Sequence, residues 1–138
     1  MARKLLTLIL AAIMLLSFAA CMYDGPPKED TPDPPALDGV FISGENSFTF
    51  SGDGRSITMN ISGDFAALSG LPYGESEAQY VFLLSVGGEY RYDKAEYFRI
   101  IIGDINYQFR NEHGATNENT VAFYPTDDAV TSVRFEKN

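Results

Sequence analysis

Residues 47–61 read SFTFSGDGRSITMNI, and this stretch indicates a β-hairpin. Apolar and polar side chains alternate on both sides of Gly52-Asp53-Gly54, whose glycines tolerate the positive φ that a tight turn requires. Successive side chains of a strand point to opposite faces. Phe48 and Phe50 therefore share one face of the first strand, and Ile57, Met59 and Ile61 share one face of the second. The stretch therefore predicts two antiparallel strands with one apolar and one solvated face.

The same pattern continues on both sides of this hairpin, because short apolar runs alternate with Gly, Asp and Asn clusters roughly every 8 to 12 residues. Besides the hairpin strands 47–50 and 56–61, it predicts strands at 39–42, 79–86, 89–92, 96–102, 105–110, 120–124 and 129–136. The one helical signal is GDFAALSG at residues 63–70, where Asp64 can cap the first turn and Gly70 can end it.

Hairpin-length loops join most of these strands, so we expect strands adjacent in sequence to be adjacent in space. An antiparallel up-and-down meander of 8–9 strands curled into a barrel would leave no exposed sheet edge. The predicted fold class is therefore all-β, and the strand order with one short helical turn resembles the lipocalin-like group of small β-barrels. A two-sheet β-sandwich is the alternative.

The side chains predicted to point into the barrel are bulky, which favours a filled interior over a ligand cavity. They are Phe48, Phe50, Ile57, Met59, Phe82, Leu84, Tyr107, Phe109, Val133 and Phe135.

The first twenty residues have the pattern of a targeting segment. Arg3 and Lys4 precede an uncharged apolar run over residues 5–20 that would span roughly 24 Å as a helix, less than the ~30 Å hydrocarbon core of a bilayer. A signal peptide is thus favoured over a transmembrane helix.

The motif Phe18-Ala19-Ala20-Cys21 resembles the lipobox of bacterial lipoproteins, with Phe where that family usually has Leu. The resemblance implies that the Cys21 thiol receives a diacylglycerol and that a peptidase cuts before it.

These observations divide the chain into a signal peptide (1–20), a lipidated Cys21 with a proline-rich linker (21–36), and a single all-β domain (37–138). A polyproline-like linker rises ~3.1 Å per residue, so it would hold the domain on the order of 40 Å from the membrane. We therefore expect an exported, extracytoplasmic protein that is held on a bacterial membrane by the lipid at Cys21.

The charge balance excludes one class of partner. The formal net charge is −9, and removal of Arg3 and Lys4 with the leader leaves 8 of the 10 basic residues against 19 acidic ones, a net −11. Such an excess of acid argues against nucleic acid and against electrostatic docking on anionic lipid.

Catalytic and metal-binding patterns are weak in this chain. Cys21 is the sole cysteine and His113 the sole histidine, so neither a triad nor a zinc site has its usual ligands. Most carboxylates, Asp53 among them, lie in predicted turns, where Asp bonds to the local backbone. We expect no enzymatic activity, no metal and no cofactor.

The stretch EYRYDKAEYFR at residues 89–99 concentrates tyrosine and arginine, a composition typical of binding surfaces. The possible binding patch comprises Tyr90, Arg91, Tyr92, Tyr97 and Arg99. The alternative is that Tyr90 and Tyr92 fill a layer of the barrel with their hydroxyl groups at the rim.

The leading functional hypothesis is a non-enzymatic, membrane-anchored domain that presents an interaction surface to an envelope protein or glycan. The alternatives are a lipocalin-type carrier of a small apolar ligand and an envelope enzyme or inhibitor module.

Overall fold

The hairpin predicted around Asp53 forms, and its strands belong to a closed barrel. The structure is a computed structural model that describes residues 34–84 and 91–138. The predicted leader, Cys21, the linker up to residue 33 and Tyr90 lie outside the described residues. Every strand belongs to the compact unit Asp33–Asn138.

Eight strands and one short helix follow one another along the described chain. They are β1 (Asp38–Ser43), β2 (Asn46–Ser51), β3 (Ser56–Ile61), α1 (Gly63–Ser69), β4 (Gly74–Leu83), β5 (Tyr97–Ile102), β6 (Ile105–Asn111), β7 (Thr120–Tyr124) and β8 (Val133–Lys137).

Each strand pairs antiparallel with the next, and β8 returns to β1, where Phe41 and Ile42 face Lys137 and Glu136. This order, β1 to β8 around a closed barrel, confirms the predicted all-β up-and-down meander with one short helix, as in small lipocalin-like barrels. The alternative of two packed sheets does not form. Closure pairs the strands that would otherwise be sheet edges.

Three of the predicted strands differ from the structure by more than one residue at an end. β4 begins at Gly74 instead of residue 79, because the segment 74–78 pairs with β3 from Ile61 to Ile57. This segment is mostly polar, so no apolar run marks it as a strand in the sequence. The strand predicted at 89–92 is wrong for residues 91 and 92, since Tyr92 begins a turn in which the Lys94 N–H donates to the Arg91 carbonyl. β8 begins at Val133 instead of residue 129.

Phenylalanine rings fill the middle of the barrel. Six of them expose at most 1% of their surface: Phe41, Phe48, Phe50, Phe98, Phe123 and Phe135. Phe48 on β2 stacks on Phe135 of β8 at 4.1 Å between ring centroids, and it also contacts Phe98 of β5 and Phe123 of β7 at 6.1 Å. One ring thus connects four strands around the barrel.

Nine of the ten side chains predicted to point inward contribute to this core. Phe48, Phe50, Ile57, Met59, Phe82, Phe109 and Phe135 are buried, and Tyr107 and Val133 pack against them half-buried. Leu84 is half-buried just after β4 ends and lies outside the core cluster.

Helix α1 covers one end of the barrel. Its buried Phe65 meets the core at Phe123 and Phe135, with centroids 6.3 and 5.8 Å apart. The helix ends at Gly70, whose φ of 79° is left-handed and whose N–H donates to the Ala66 carbonyl, as predicted. Asp64 is not the N-cap, because Ser62 occupies that position and Asp64 lies in the first turn.

A buried polar pair closes the opposite end. The Asn111 amide donates to the carbonyls of Tyr92 and Ala95 at 3.0 and 2.9 Å, and its oxygen accepts from the Thr116 hydroxyl at 2.8 Å. Thr116 also accepts from the Ala122 N–H at 3.0 Å. These bonds join the segment after residue 91, the β6–β7 loop and β7, and they satisfy polar groups that would be costly to bury unpaired.

The aromatic core gives a stability prediction. We expect Phe48→Ala to lower the free energy of unfolding by about 3–5 kcal/mol, since it removes a buried ring that four other rings contact and leaves a cavity. Tyr73→Ala is the matched control, because Tyr73 is 77% exposed, and its effect should stay within ~0.5 kcal/mol. Urea unfolding measures both. Equal losses in the two variants would contradict the packing described here.

Candidate binding surface

The structure divides the predicted tyrosine–arginine patch. Arg91 forms a two-point ion pair with Asp93, with Nε–Oδ1 and Nη2–Oδ2 distances of 3.1 and 2.9 Å, so an acidic neighbour already neutralises its charge. Tyr92 is 8% exposed and packs on Phe82 at 6.0 Å between centroids. The predicted alternative, barrel packing, is therefore right for Tyr92. Tyr97 and Arg99 remain half-buried on strand β5.

Strand alternation places Tyr97 and Arg99 on the outside of the barrel, because Phe98 and Ile100 between and after them are fully buried. The register brings Arg110 of β6 opposite Tyr97, and Tyr124 of β7 opposite Arg110. These four side chains, Tyr97, Arg99, Arg110 and Tyr124, are called the outer-face patch below.

Neutral groups hold both guanidinium groups of the outer-face patch. Arg99 donates from Nε and Nη2 to Oε1 of Gln108 at 3.1 and 2.6 Å. Arg110 lies over the Tyr124 ring with its Cζ 4.2 Å from the centroid, and its Nη2 donates to the Ala129 carbonyl at 3.2 Å. Each guanidinium has five N–H donors, so both keep donors for a ligand.

The electrostatics of the patch are unusual for so acidic a chain. Within residues 34–84 and 91–138, the ion pairs are Arg91–Asp93 and Arg134–Glu112, and neither involves the outer-face patch. Arg99 and Arg110 lie diagonally across the β5–β6 pair, where side chains are roughly 7–8 Å apart and like charges repel. An anionic ligand would relieve that repulsion.

Sequence reasoning missed Arg110 and Tyr124. The alternation of residues 105–110 already placed Arg110 on the solvated face, but its contact with Tyr124 depends on a short β6–β7 ladder of two residue pairs. An eight-residue loop separates Asn111 from Thr120, so the sequence does not fix that register.

A groove of about 620 Å³ runs over the outer faces of β2 to β5 beside the patch. One row of its floor crosses β2, β3 and β4 as Thr49, Thr58 and Glu77. The next row ends with Gln79 of β4 opposite Ile101 of β5. Hydroxyl, amide and carboxylate groups thus line most of this groove.

The residues considered for catalysis and metal binding, His113 and the turn carboxylates, do not come together in one site. His113 is exposed in a turn, and no group of three or more metal-ligating side chains occurs in the part of the chain that the structure describes. Asp53 accepts from the N–H groups of Arg55 and Ser56 at 2.8 and 2.7 Å and from the Ser56 hydroxyl at 2.6 Å. These bonds hold the pKa of its carboxyl well below the usual range, and they match the turn role predicted for Asp53.

Glu112 lies on the outside near β8. One carboxylate oxygen accepts from the Ser132 hydroxyl and the other is 3.5 Å from Nη2 of Arg134. This arrangement fastens the end of β6 to β8 over β7. Among the helices of the described residues, none is long and apolar enough to cross a bilayer.

Comparison with family models, with curated proteins and with solved structures finds no significant match to this chain. The class of protein that the fold defines is a closed, eight-stranded up-and-down barrel with an aromatic core. Its outer wall carries the tyrosine–arginine patch beside a polar groove.

The buried tyrosines give a prediction about pH. Burial raises the pKa of Tyr80 to about 12, with a further contribution from the charge of Asp53, and burial also raises that of Tyr92. Because the folded state disfavours these phenolates, the stabilisation from burying them neutral is present below pH ~10 and is lost as the pH rises towards about 12. Absorbance at 295 nm should show a late ionisation that Tyr80→Phe reduces, with Tyr92 supplying the remainder. A late component unchanged in Tyr80→Phe would contradict the assignment.

Proposed function

We propose that this chain is a non-enzymatic, exported bacterial lipoprotein whose β-barrel presents the outer-face patch to a component of the cell envelope. The lipid at Cys21 would hold the barrel on the extracytoplasmic side of a membrane. The linker to residue 36 would give it reach, and no cofactor or metal is part of the proposal.

The observation that carries this proposal is the arrangement of Arg99 and Arg110. Two guanidinium groups are held in place by neutral partners, side by side on the outside of a rigid barrel, in a chain with 19 acidic residues. Arginine and tyrosine are enriched where proteins bind other molecules, because both combine apolar area with directed hydrogen bonds.

The two alternative functions have less support. A carrier of small apolar ligands needs interior space, whereas phenylalanine rings occupy the middle of this barrel. An enzyme needs converging reactive groups, and within the described residues His113 and Asp53 lie in separate exposed turns.

The anchor is tested by labelling. When the chain is produced in a bacterium fed a fatty-acid probe, we expect the label to appear on the chain and the chain to fractionate with membranes. Cys21→Ala should lose both properties, because the thiol is the acceptor of the lipid. Equal labelling of the Cys21→Ala chain would contradict the lipoprotein assignment.

The patch is tested by co-sedimentation of the full chain, purified in detergent, with detergent-treated cell envelopes that keep their wall polymers and attached proteins. We expect the double variant Arg99→Gln/Arg110→Gln to bind about tenfold less, the loss corresponding to charge-assisted hydrogen bonds. Lys94→Gln controls for a general loss of positive charge, since it removes one unit, half of that lost in the double variant, from an exposed turn outside the patch. Equal binding by the double variant and the parent chain would overturn the proposal.

A further inference from the structure

The groove and the outer-face patch form one continuous surface. Ile101, at the edge of the groove, is two residues from Arg99 on the same outer side of β5. Gln79 and Val81, which face Ile101 and Arg99, extend the contact across β4. A ligand longer than one sugar ring or one amino acid would therefore meet both regions at once.

The two regions differ in chemistry. The groove offers the hydroxyls of Thr49 and Thr58, the Gln79 amide and the Glu77 carboxylate, which together can donate to and accept from the hydroxyl groups of a sugar. The patch offers two guanidinium groups, whose planar donors match carboxylate and phosphate oxygens. The Tyr97 ring adds flat apolar area of the kind on which a sugar ring packs, whereas the Arg110 guanidinium covers the Tyr124 ring.

The fold disfavours one competing ligand, an extended acidic peptide. Such peptides usually bind by adding a strand to a free sheet edge, where backbone groups are unpaired. At the outer-face patch this route is closed, because Arg99 is paired with both Val81 and Gln108, and Arg110 with both Tyr97 and Tyr124. Recognition on the outer face must rely on side chains, and these favour a ligand rich in hydroxyl groups.

We propose that the outer face binds an acidic polysaccharide, with the groove holding hydroxyl-rich sugar rings and Arg99 and Arg110 holding its anionic groups. This inference rests on the proposed function, because it names the ligand class of the same surface.

The test measures binding of the full chain, purified in detergent, to four polymers by isothermal titration at 0.15 M salt. Polygalacturonate and phosphomannan carry carboxylate and phosphate on sugar rings, whereas dextran is neutral and polyglutamate is an acidic polypeptide. We expect at least one of the first two to bind at least tenfold more tightly than both dextran and polyglutamate. Which of the two binds better identifies the anion.

Variants separate the two halves of the site. Arg99→Gln/Arg110→Gln should weaken binding of the preferred polymer about tenfold or more, and Lys94→Gln should leave it unchanged. Thr49→Val/Thr58→Val keeps the shape and the strand preference of the groove but removes two hydroxyls. It should weaken the preferred polymer severalfold and leave binding of inorganic polyphosphate unchanged.

Several outcomes would overturn the ligand class. If polyglutamate binds as tightly as the acidic glycans, the surface binds acidic protein segments instead. If dextran binds as tightly as the acidic glycans, the arginines do not contribute to ligand binding. If no polymer binds while cell envelopes still retain the parent chain and release the arginine double variant, the ligand class is wrong and the proposed function stands. If the envelopes do not distinguish those two chains, the proposed function itself fails.

Discussion

The stack of Phe48 on Phe135, 4.1 Å between centroids, is the contact on which the barrel depends most. It joins β2 to β8, two strands that both flank β1 at the place where the chain closes on itself. Closing eight strands leaves a narrow interior that side chains must fill at crystal-like density. Aromatic rings do so with large apolar area and few rotatable bonds, so their burial drives closure and also fixes the register.

A filled interior determines where recognition can occur. Barrels of this kind bind small ligands when small residues leave space inside, and this chain instead buries phenylalanine on β1, β2, β5, β7 and β8. The wall and the loop ends are then the available surfaces. The wall around the outer-face patch is the more rigid of the two, because Arg99 and Arg110 stand on residues paired with both neighbouring strands.

Much of the fold could be read from the sequence, because a two-residue period and turn residues act locally. The hairpin of β2 and β3, the strands β5 and β6 around Gly103-Asp104 and the helical turn at 63–69 all follow from that alternation and punctuation. The segment 74–78 could not be read this way, since its polar residues join β4 only because β3 offers partners. The position of the Tyr92 side chain is ambiguous in the sequence for a related reason, because a turn residue can reach the core when its loop folds back. Here the Asn111 amide binds the Tyr92 carbonyl, and the Tyr92 ring packs on Phe82.

The candidate site was less accessible to sequence reasoning than the fold. Tyr97 and Arg99 lie close together in the sequence, so the concentration of tyrosine and arginine in residues 89–99 predicts both of them. The same criterion also includes Arg91 and Tyr92 in the predicted patch. Arg91 is neutralised by Asp93, and Tyr92 is buried. Arg110 and Tyr124 enter through pairing between strands that are distant in sequence, which composition does not report.

The overall charge makes the fixed arginines more informative. A chain of net charge −9 repels anions at long range, yet salt screens that repulsion beyond roughly 8 Å at physiological ionic strength. Groups within this distance therefore decide whether an anion is bound. At the outer-face patch, Arg99 and Arg110 have the neutral partners Gln108 and Tyr124, and the nearby Glu112 is paired with Arg134 and Ser132. Exchanging Gln108 for a carboxylate would pair Arg99 internally and cancel its charge. The amide at that position orients the guanidinium while leaving its charge available, which is the arrangement that a ligand's anionic group requires.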